Sequence, residues 1–367
     1  MSLQTYHSHT YKESHSIASI CNYIRRSTQY KILSHCGYHA DSLVYRSKKP
    51  DGSSVVLKLV LEYQYAPNSE FDAMLRGGDI YEGGKFVQEP EVAANLHLLA
   101  SPIPNIACPF ENHIIIEETY VKSNLEHISK YNLFVYESAE CDLHACELSE
   151  LSLTTKDLIV YNLVQGLKSI HEDLKITHGD IKPMNVLLKH CLPTWIDFGT
   201  AEYMSTKEYY LKNTWGWMTP LQCLNHLYDE DCYANLSKDL CLESIDGYKR
   251  TLTELLVVAD DGTFPEGHIF YEDCVTNDLF CMILLILYIY GNGYNFYSQK
   301  EMLNYDTMCI LENMETFVRC REAYVSKALY DVGMKEDDKL RHVCYKGLVN
   351  PSTITIDDLV GAFKIEK

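Results

Sequence analysis

Two rhythms of apolar and polar residues divide the chain. From Tyr30 the apolar positions come in short runs between turn residues: Ile32-Leu33, a polar turn around Gly37, Leu43-Val44-Tyr45, a Pro-Asp-Gly turn at 50–52, then Val55-Val56-Leu57-Lys58-Leu59-Val60. Runs of that length between such breakers predict strands joined by hairpins. Ile114-Ile115-Ile116 and Leu133-Phe134-Val135-Tyr136 predict two more. Ahead of these, residues 61–84 read as a glycine-bearing insertion, and a helix is expected from about Lys85 to Leu99, stopped by Pro102 and Pro104. Beyond residue 142 the period becomes helical. Leu158, Ile159, Leu163, Leu167 and Ile170 mark a helix over 158–174, and Leu279 to Tyr290 reads as a buried helix too short to cross a bilayer. Val343 to Val349 and Ile356 to Phe363 carry further helical patterns, and Ile17 to Ile24 carries one near the start.

The helical half is interrupted by a polar stretch, His178-Gly179-Asp180-Ile181-Lys182-Pro183-Met184-Asn185, with Trp195-Ile196-Asp197-Phe198-Gly199 shortly after it. The apolar runs Val186 to Leu188 and Leu192 to Ile196 predict two short buried strands, so the polar loop hangs between rigid supports. These residue types suit phosphoryl transfer, which needs a carboxylate beside the incoming hydroxyl, a cation for the moving phosphate and oxygen ligands for Mg²⁺. Their order resembles the catalytic and metal-binding loops of protein kinases, H-R-D-x-K-x-x-N followed by D-F-G. The resemblance implies an α+β, two-lobed fold, with a small β-rich lobe at about 29–137, a large mainly helical lobe at about 142–367 and residues 1–28 as an N-terminal extension. It implies ATP and Mg²⁺ as ligands, Asp180 as catalytic base, Lys182 as the phosphate cation, and Asn185 and Asp197 as metal ligands.

The same resemblance assigns the nucleotide contacts. Val55 to Lys58 stands for V-A-I-K, so Lys58 would hold the α and β phosphates, and a lysine on an apolar strand requires a partner because a lone buried ammonium is costly. Glu91 and Glu89 both qualify; Glu91 is the better placed, since Pro90 would then sit in the first turn of its helix, where a missing N–H costs nothing. The pattern G-x-G-x-x-G-x-V aligns with Gly37 to Val44, where only the first glycine survives and Asp41 puts a negative charge near the tip. Residues 137–143 resemble the hinge, with backbone groups of Glu137 and Ala139 toward the adenine, Asp142 toward the ribose and Tyr136 at the gatekeeper position. Residues 200–220 resemble an activation segment. At its end Leu221 stands where the family has a glutamate, and Ile354 stands where it has the partner arginine, so both charges of a buried pair have become apolar together. Gly179 replaces the arginine of H-R-D, which makes the loop a non-RD type with no cation there to receive a phosphate.

Charge narrows the partners. With 32 basic and 51 acidic residues the net charge is −19, which argues against nucleic acid or an anionic membrane and suits a protein substrate, a basic one included. Between residues 225 and 277 there are 12 acidic and 3 basic residues, inside an expected insert at about 222–277 that reads as partly folded through Leu252 to Leu256 and Ile269 to Tyr271. Either an acidic docking surface or a solvated loop excursion fits it. Fourteen cysteines without a CxxC pair, and a polar N-terminus unlike a signal peptide, point to reduced thiols in the cytoplasm or nucleus. Three functions stay open: an active Ser/Thr protein kinase, a pseudokinase scaffold favoured by the depleted glycine loop, and a small-molecule phosphotransferase. Families of the last kind also carry H-G-D, but place histidine at the Lys182 position and lack an ending like Thr214 to Pro220. The intact set Lys58, Asp180, Lys182, Asn185 and Asp197 favours the first.

Overall fold

The computed structural model describes residues 24–25, 28–39, 42–64, 90–122, 125–204, 216–228, 242–256, 274–298, 300–301 and 307–363. Residues 17–23 of the expected first helix, Glu89, Asp41, residues 205–215 and Ile269 to Tyr271 lie outside them. The chain divides into two compact units, residues 1–139 and 140–367.

The first unit is built on five antiparallel strands, β1 Lys31–His39, β2 Ser42–Lys48, β3 Ser54–Gln64, β4 Glu111–Lys122 and β5 Leu125–Glu137, in the order β1-β2-β3-β5-β4. Side chains alternate between the faces of a strand. Both faces of this sheet are covered, which explains why β3 reads as an almost unbroken apolar run. One face carries Leu43, Tyr45, Val55, Leu57, Leu59, Leu133 and Val135, packed with Ile24 and Tyr30. The other carries Val60 and Phe134, packed with Val92 of helix α1, Pro90–Ala100. Parity puts Lys58 on this second face, with Val60.

The second unit contains β6 Cys141–Asp142, α2 Leu153–Glu172, β7 Ile176–Thr177, β8 Val186–Lys189, β9 Leu192–Trp195 and β10 Glu202–Tyr203, followed by α3 Pro220–Tyr228, α4 Leu242–Leu256 and α5 Cys274–Tyr290. After these come β11 Tyr294–Asn295, β12 Lys300–Glu301, α6 Thr307–Arg319, α7 Arg321–Asp331, α8 Lys339–Val349 and α9 Ile356–Ala362. Helix α5 is the centre, buried continuously from Asn277 to Ile289. Helix α2 begins five residues before the apolar rhythm predicts. Ser152 sets that start, its Oγ accepting from Thr155 N at 3.1 Å, while the first turn from Leu153 is largely exposed and adds nothing to the apolar rhythm. The acidic insert is corrected in part: α4 buries Ile245, Leu252 and Leu256 and packs on α3 and α6, so residues 242–256 belong to the core and not to a solvated excursion.

One buried charge in this unit costs stability. Lys156 of α2 is 7% exposed, and among the described residues its Nζ has one partner, Asn292 Oδ1 at 2.5 Å, and no carboxylate. Burial pushes its pKa down. A lowered ammonium pKa means that the charged form is disfavoured in the fold, so the penalty is complete below the folded pKa and fades as pH rises through it toward the ordinary value. We expect Lys156→Met to raise stability at pH 7 by about 1 kcal/mol, with the gain shrinking as pH rises toward the ordinary lysine value of about 10.4. Urea midpoints at the two pH values measure it, and a lower midpoint for the variant at pH 7 contradicts the account.

Candidate active site

The polar loop leaves β7 at His178 and enters β8 at Val186, and one acidic side chain from α5 fixes its start. Asp278 is 2% exposed; its Oδ2 accepts from His178 N at 2.7 Å and His171 Nε2 at 2.9 Å, and its Oδ1 accepts from Gly179 N at 3.0 Å. The His178 ring donates through Nε2 to Ile196 O at 3.0 Å, receives Asp180 N on Nδ1 at 3.4 Å, and packs against Trp195 and Phe198. Trp195 is fully buried, and its Nε1 donates to Leu163 O of α2 at 2.9 Å. The loop thus has backbone, ring and strand supports in one unit.

Within it, Asp180 Oδ2 accepts from Lys182 Nζ at 2.5 Å and from Asn185 Nδ2 at 2.9 Å. Asn185 Nδ2 also donates to Asp180 O at 2.7 Å, and its own N–H closes a 3₁₀ turn onto Lys182 O at 3.0 Å. Charge-assisted bonds of this kind hold a carboxylate in one orientation. Among the described residues Asn185 Oδ1 accepts no hydrogen bond, so a hard-oxygen ligand is left uncommitted beside the carboxylate. Asp197 has φ +67°, a left-handed conformation that Asp tolerates better than most residues, and its Oδ1 accepts from Gly199 N at 3.4 Å. The donor set of an amide oxygen and a carboxylate fits Mg²⁺. The described residues contain no group of three or more His, Cys, Asp and Glu side chains suited to a metal, so a transition-metal site is not formed by them.

Gly179 does more than lack a side chain. Its φ is +76°, and a Cβ there would lie 2.4 Å from the backbone oxygen of Thr200, whose Oγ1 donates to His178 O at 3.0 Å. Glycine is what lets the residue after the D-F-G triplet close onto the loop. Farther along, Trp217 is buried against Tyr288, and Met218 O accepts from Tyr297 Oη at 2.9 Å. Thr219 caps α3: its N–H reaches Gln222 Oε1 at 2.9 Å and its Oγ1 accepts from Gln222 N at 3.2 Å. This reciprocal box, legible as T-x-x-Q, escaped the sequence reading, as did His171. The latter's signal was a histidine continuing the stripe Leu163, Leu167.

In the first unit Lys58 Nζ forms an ion pair with Glu91 Oε1, with both side chains nearly buried. Pro90 opens the described part of α1 and Glu91 follows it. Gly37, Val44, Lys58 and Phe134 pair in one row across four strands, so the side chains of Val44, Lys58 and Phe134 share a face. Glu137 ends β5, and Ala139, half-buried, follows it after the exposed Ser138. Asp142 belongs to the second unit, where it pairs with Leu187 and its Oδ1 accepts from Ala145 N at 2.8 Å.

The sequence pattern of the family described as protein kinase domain matches residues 105–233. The described elements form an antiparallel sheet with one helix in the first unit and a mainly helical second unit, an α+β arrangement. No curated protein matches the sequence. Among solved structures, a MAP kinase from Leishmania major is 13% identical, with 94% of this chain and 85% of that chain covered and a TM-score of 0.49.

Two glycines should respond oppositely to the same change. Gly179→Ala forces a Cβ into a backbone oxygen at positive φ and should cost about 2 kcal/mol or more. Gly247 lies inside α4 with open space around it, so Gly247→Ala should gain about 0.5 to 1 kcal/mol. Thermal melts of both variants measure this, and a stabilised Gly179→Ala protein overturns the reading of the loop.

Proposed function

We propose that this chain is a divergent relative of the eukaryotic-type protein kinases and an active Ser/Thr kinase that moves the γ-phosphate of ATP to a protein hydroxyl; the match of residues 105–233 to the protein kinase domain family supports this. The observation that carries the proposal is the Asp180 carboxylate held by Lys182 and Asn185 while the Asn185 Oδ1 is left uncommitted. In this reading Asp180 accepts the proton of the incoming hydroxyl, and Lys182, already beside it, stabilises charge on the transferred group. Asn185 and Asp197 hold the metal, and Lys58, oriented by Glu91, holds the α and β phosphates. Bound Mg²⁺ supplies charge neutralisation on the nucleotide's terminal phosphates. Gly37 and Val44 cover the nucleotide, Glu137 and Ala139 meet the adenine through their backbone, and Asp142 meets the ribose with the oxygen that its turn does not use. The substrate is a protein, a basic one by charge, and the compartment is intracellular. Ten cysteines of the described residues are free, and burial pushes the Cys223 and Cys344 thiols up, as for structural and unreactive groups.

A pseudokinase is the second reading, because only one glycine remains in the loop ahead of Val44. Radiolabelled phosphate transfer to a generic basic protein separates the two. Lys58→Met and Asp197→Asn should each lower transfer by about 10³-fold or more, with phosphate on Ser or Thr. Undetectable transfer by the parent protein, or turnover unchanged in Asp197→Asn, ends the kinase proposal; phosphotyrosine alone ends the Ser/Thr part.

The Gly179 clasp and the buried Trp217 support a second expectation, that the segment after Gly199 reaches its working shape without phosphorylation. Protein co-expressed with a phosphatase, and found unphosphorylated across 197–220 by mass spectrometry, should keep its kcat. A loss of about 100-fold that phosphorylation restores contradicts it.

A further inference from the structure

The Lys58–Glu91 pair depends on where α1 sits against the sheet, and a polar contact one helical turn beyond Glu91 sets this. Asn95 follows Glu91 by four residues, so both lie on one face of α1. Asn95 is 2% exposed, and its Oδ1 accepts from the Tyr136 hydroxyl at 2.7 Å. Tyr136 lies on β5 two residues from Phe134, and Phe134 is the direct cross-strand neighbour of Lys58. The surrounding contacts, Val60, Val92, Phe134 and Leu96, are apolar. Apolar packing holds the helix to the sheet but tolerates sliding, whereas a buried hydrogen bond is directional and costly to leave unmade.

We propose that the Asn95–Tyr136 hydrogen bond is a positioning device that fixes α1 along β5, so that Glu91 meets Lys58. For catalysis this rests on the kinase reading above; for the ion pair it does not. Neither residue touches the reacting atoms in this assignment. Tyr136 links the strand leading toward Glu137 and Ala139 to the helix that bears Glu91. Tyr136→Phe leaves the buried Asn95 carbonyl without this donor, and Asn95→Leu removes this acceptor from the half-buried Tyr136 phenol. Removing both leaves an apolar contact that can close again, so the double variant should do better than the worse single one.

The test uses the full chain with Tyr136→Phe, Asn95→Leu and the double variant. The first readout is the rate at which Lys58 reacts with a limiting amine-directed acylating reagent, normalised to exposed Lys48 and read by mass spectrometry. The single variants should raise that ratio about threefold or more, because an amine freed from its carboxylate reacts sooner. The double variant should return toward the parent value. The second readout is steady-state kinetics, where the single variants should lose about tenfold in kcat with little change in KM for the protein acceptor. Melting temperatures check that each variant is folded. Unchanged Lys58 reactivity in both folded single variants overturns the proposal, as does a double variant no better than the worse single one. If the parent transfers no phosphate, the kinase reading fails while the Lys58 ratios still decide the positioning.

Discussion

A single buried carboxylate organises the second unit. Asp278 lies on the most deeply buried helix and takes two backbone N–H groups of the loop, at His178 and Gly179, together with the His171 ring. Net contributions of hydrogen bonds to a charged acceptor run at about 1.5 to 3 kcal/mol each, and this acceptor is almost fully buried. Because both loop donors are backbone groups, the constraint acts on the path of the chain and not on a particular side chain. With 178 and 179 fixed, the remaining geometry is local: the His178 ring braces Ile196, and the turn at 183–185 brings Asn185 back onto Asp180. Three residues distant in sequence, Leu163, His171 and Asp278, thereby decide where Asp180 stands.

What the sequence made legible follows from the range of each interaction. The loop residues act within a few positions of one another, so their spacing is their geometry, and the order of residue types suffices to find them. The two flanking strands β8 and β9 were legible for the same reason. The sheet was legible because β3 is apolar on both parities, with a lysine as the exception. Contacts that cross long separations left weaker traces. Asp278 acts across about a hundred residues and so has no local spacing to betray it, and His171 showed only as a polar residue on an apolar stripe. The start of α2 was misplaced because a cap at Ser152, and not periodicity, decides it. Helix α4 was hidden by the acidic composition around it, although Ile245, Leu252 and Leu256 recur at helical spacing.

The first unit turns on one exception to an apolar pattern. Lys58 sits in a row with Gly37, Val44 and Phe134, and the ion pair with Glu91 is its answer to burial. Such a pair is weak evidence of stability, since well-packed apolar residues in its place are often as stable. Its retention on an otherwise hydrophobic face therefore argues for a use. The same reasoning applies to Asn95, a second polar residue on the same face of α1, which the apolar rhythm of residues 92–98 gave no reason to single out.

The departures from the kinase pattern have a common physical sense. Ile354 stands where the resemblance expects arginine, and it is buried: its Cδ1 and that of Ile283 both lie within 2.5 Å of the point where a Cβ on Gly347 would be. A guanidinium there would be buried beside α5 and α8, and with Leu221 in place of glutamate its family partner would be gone. Losing one charge of a buried pair is expensive, whereas losing both in favour of packing is not. Gly179 makes a parallel exchange at the loop. An arginine in that place offers a charge for a phosphate to settle; glycine offers a positive φ and room for the Thr200 backbone, so the same segment is held by close approach. The Thr219–Gln222 cap and the buried Trp217 hold its far end by the same means. Contacts of this kind respond little to ionic strength or to added phosphate. The described ends of this segment, at 200–204 and 216–219, are therefore held by close approach and packing, which folding itself establishes.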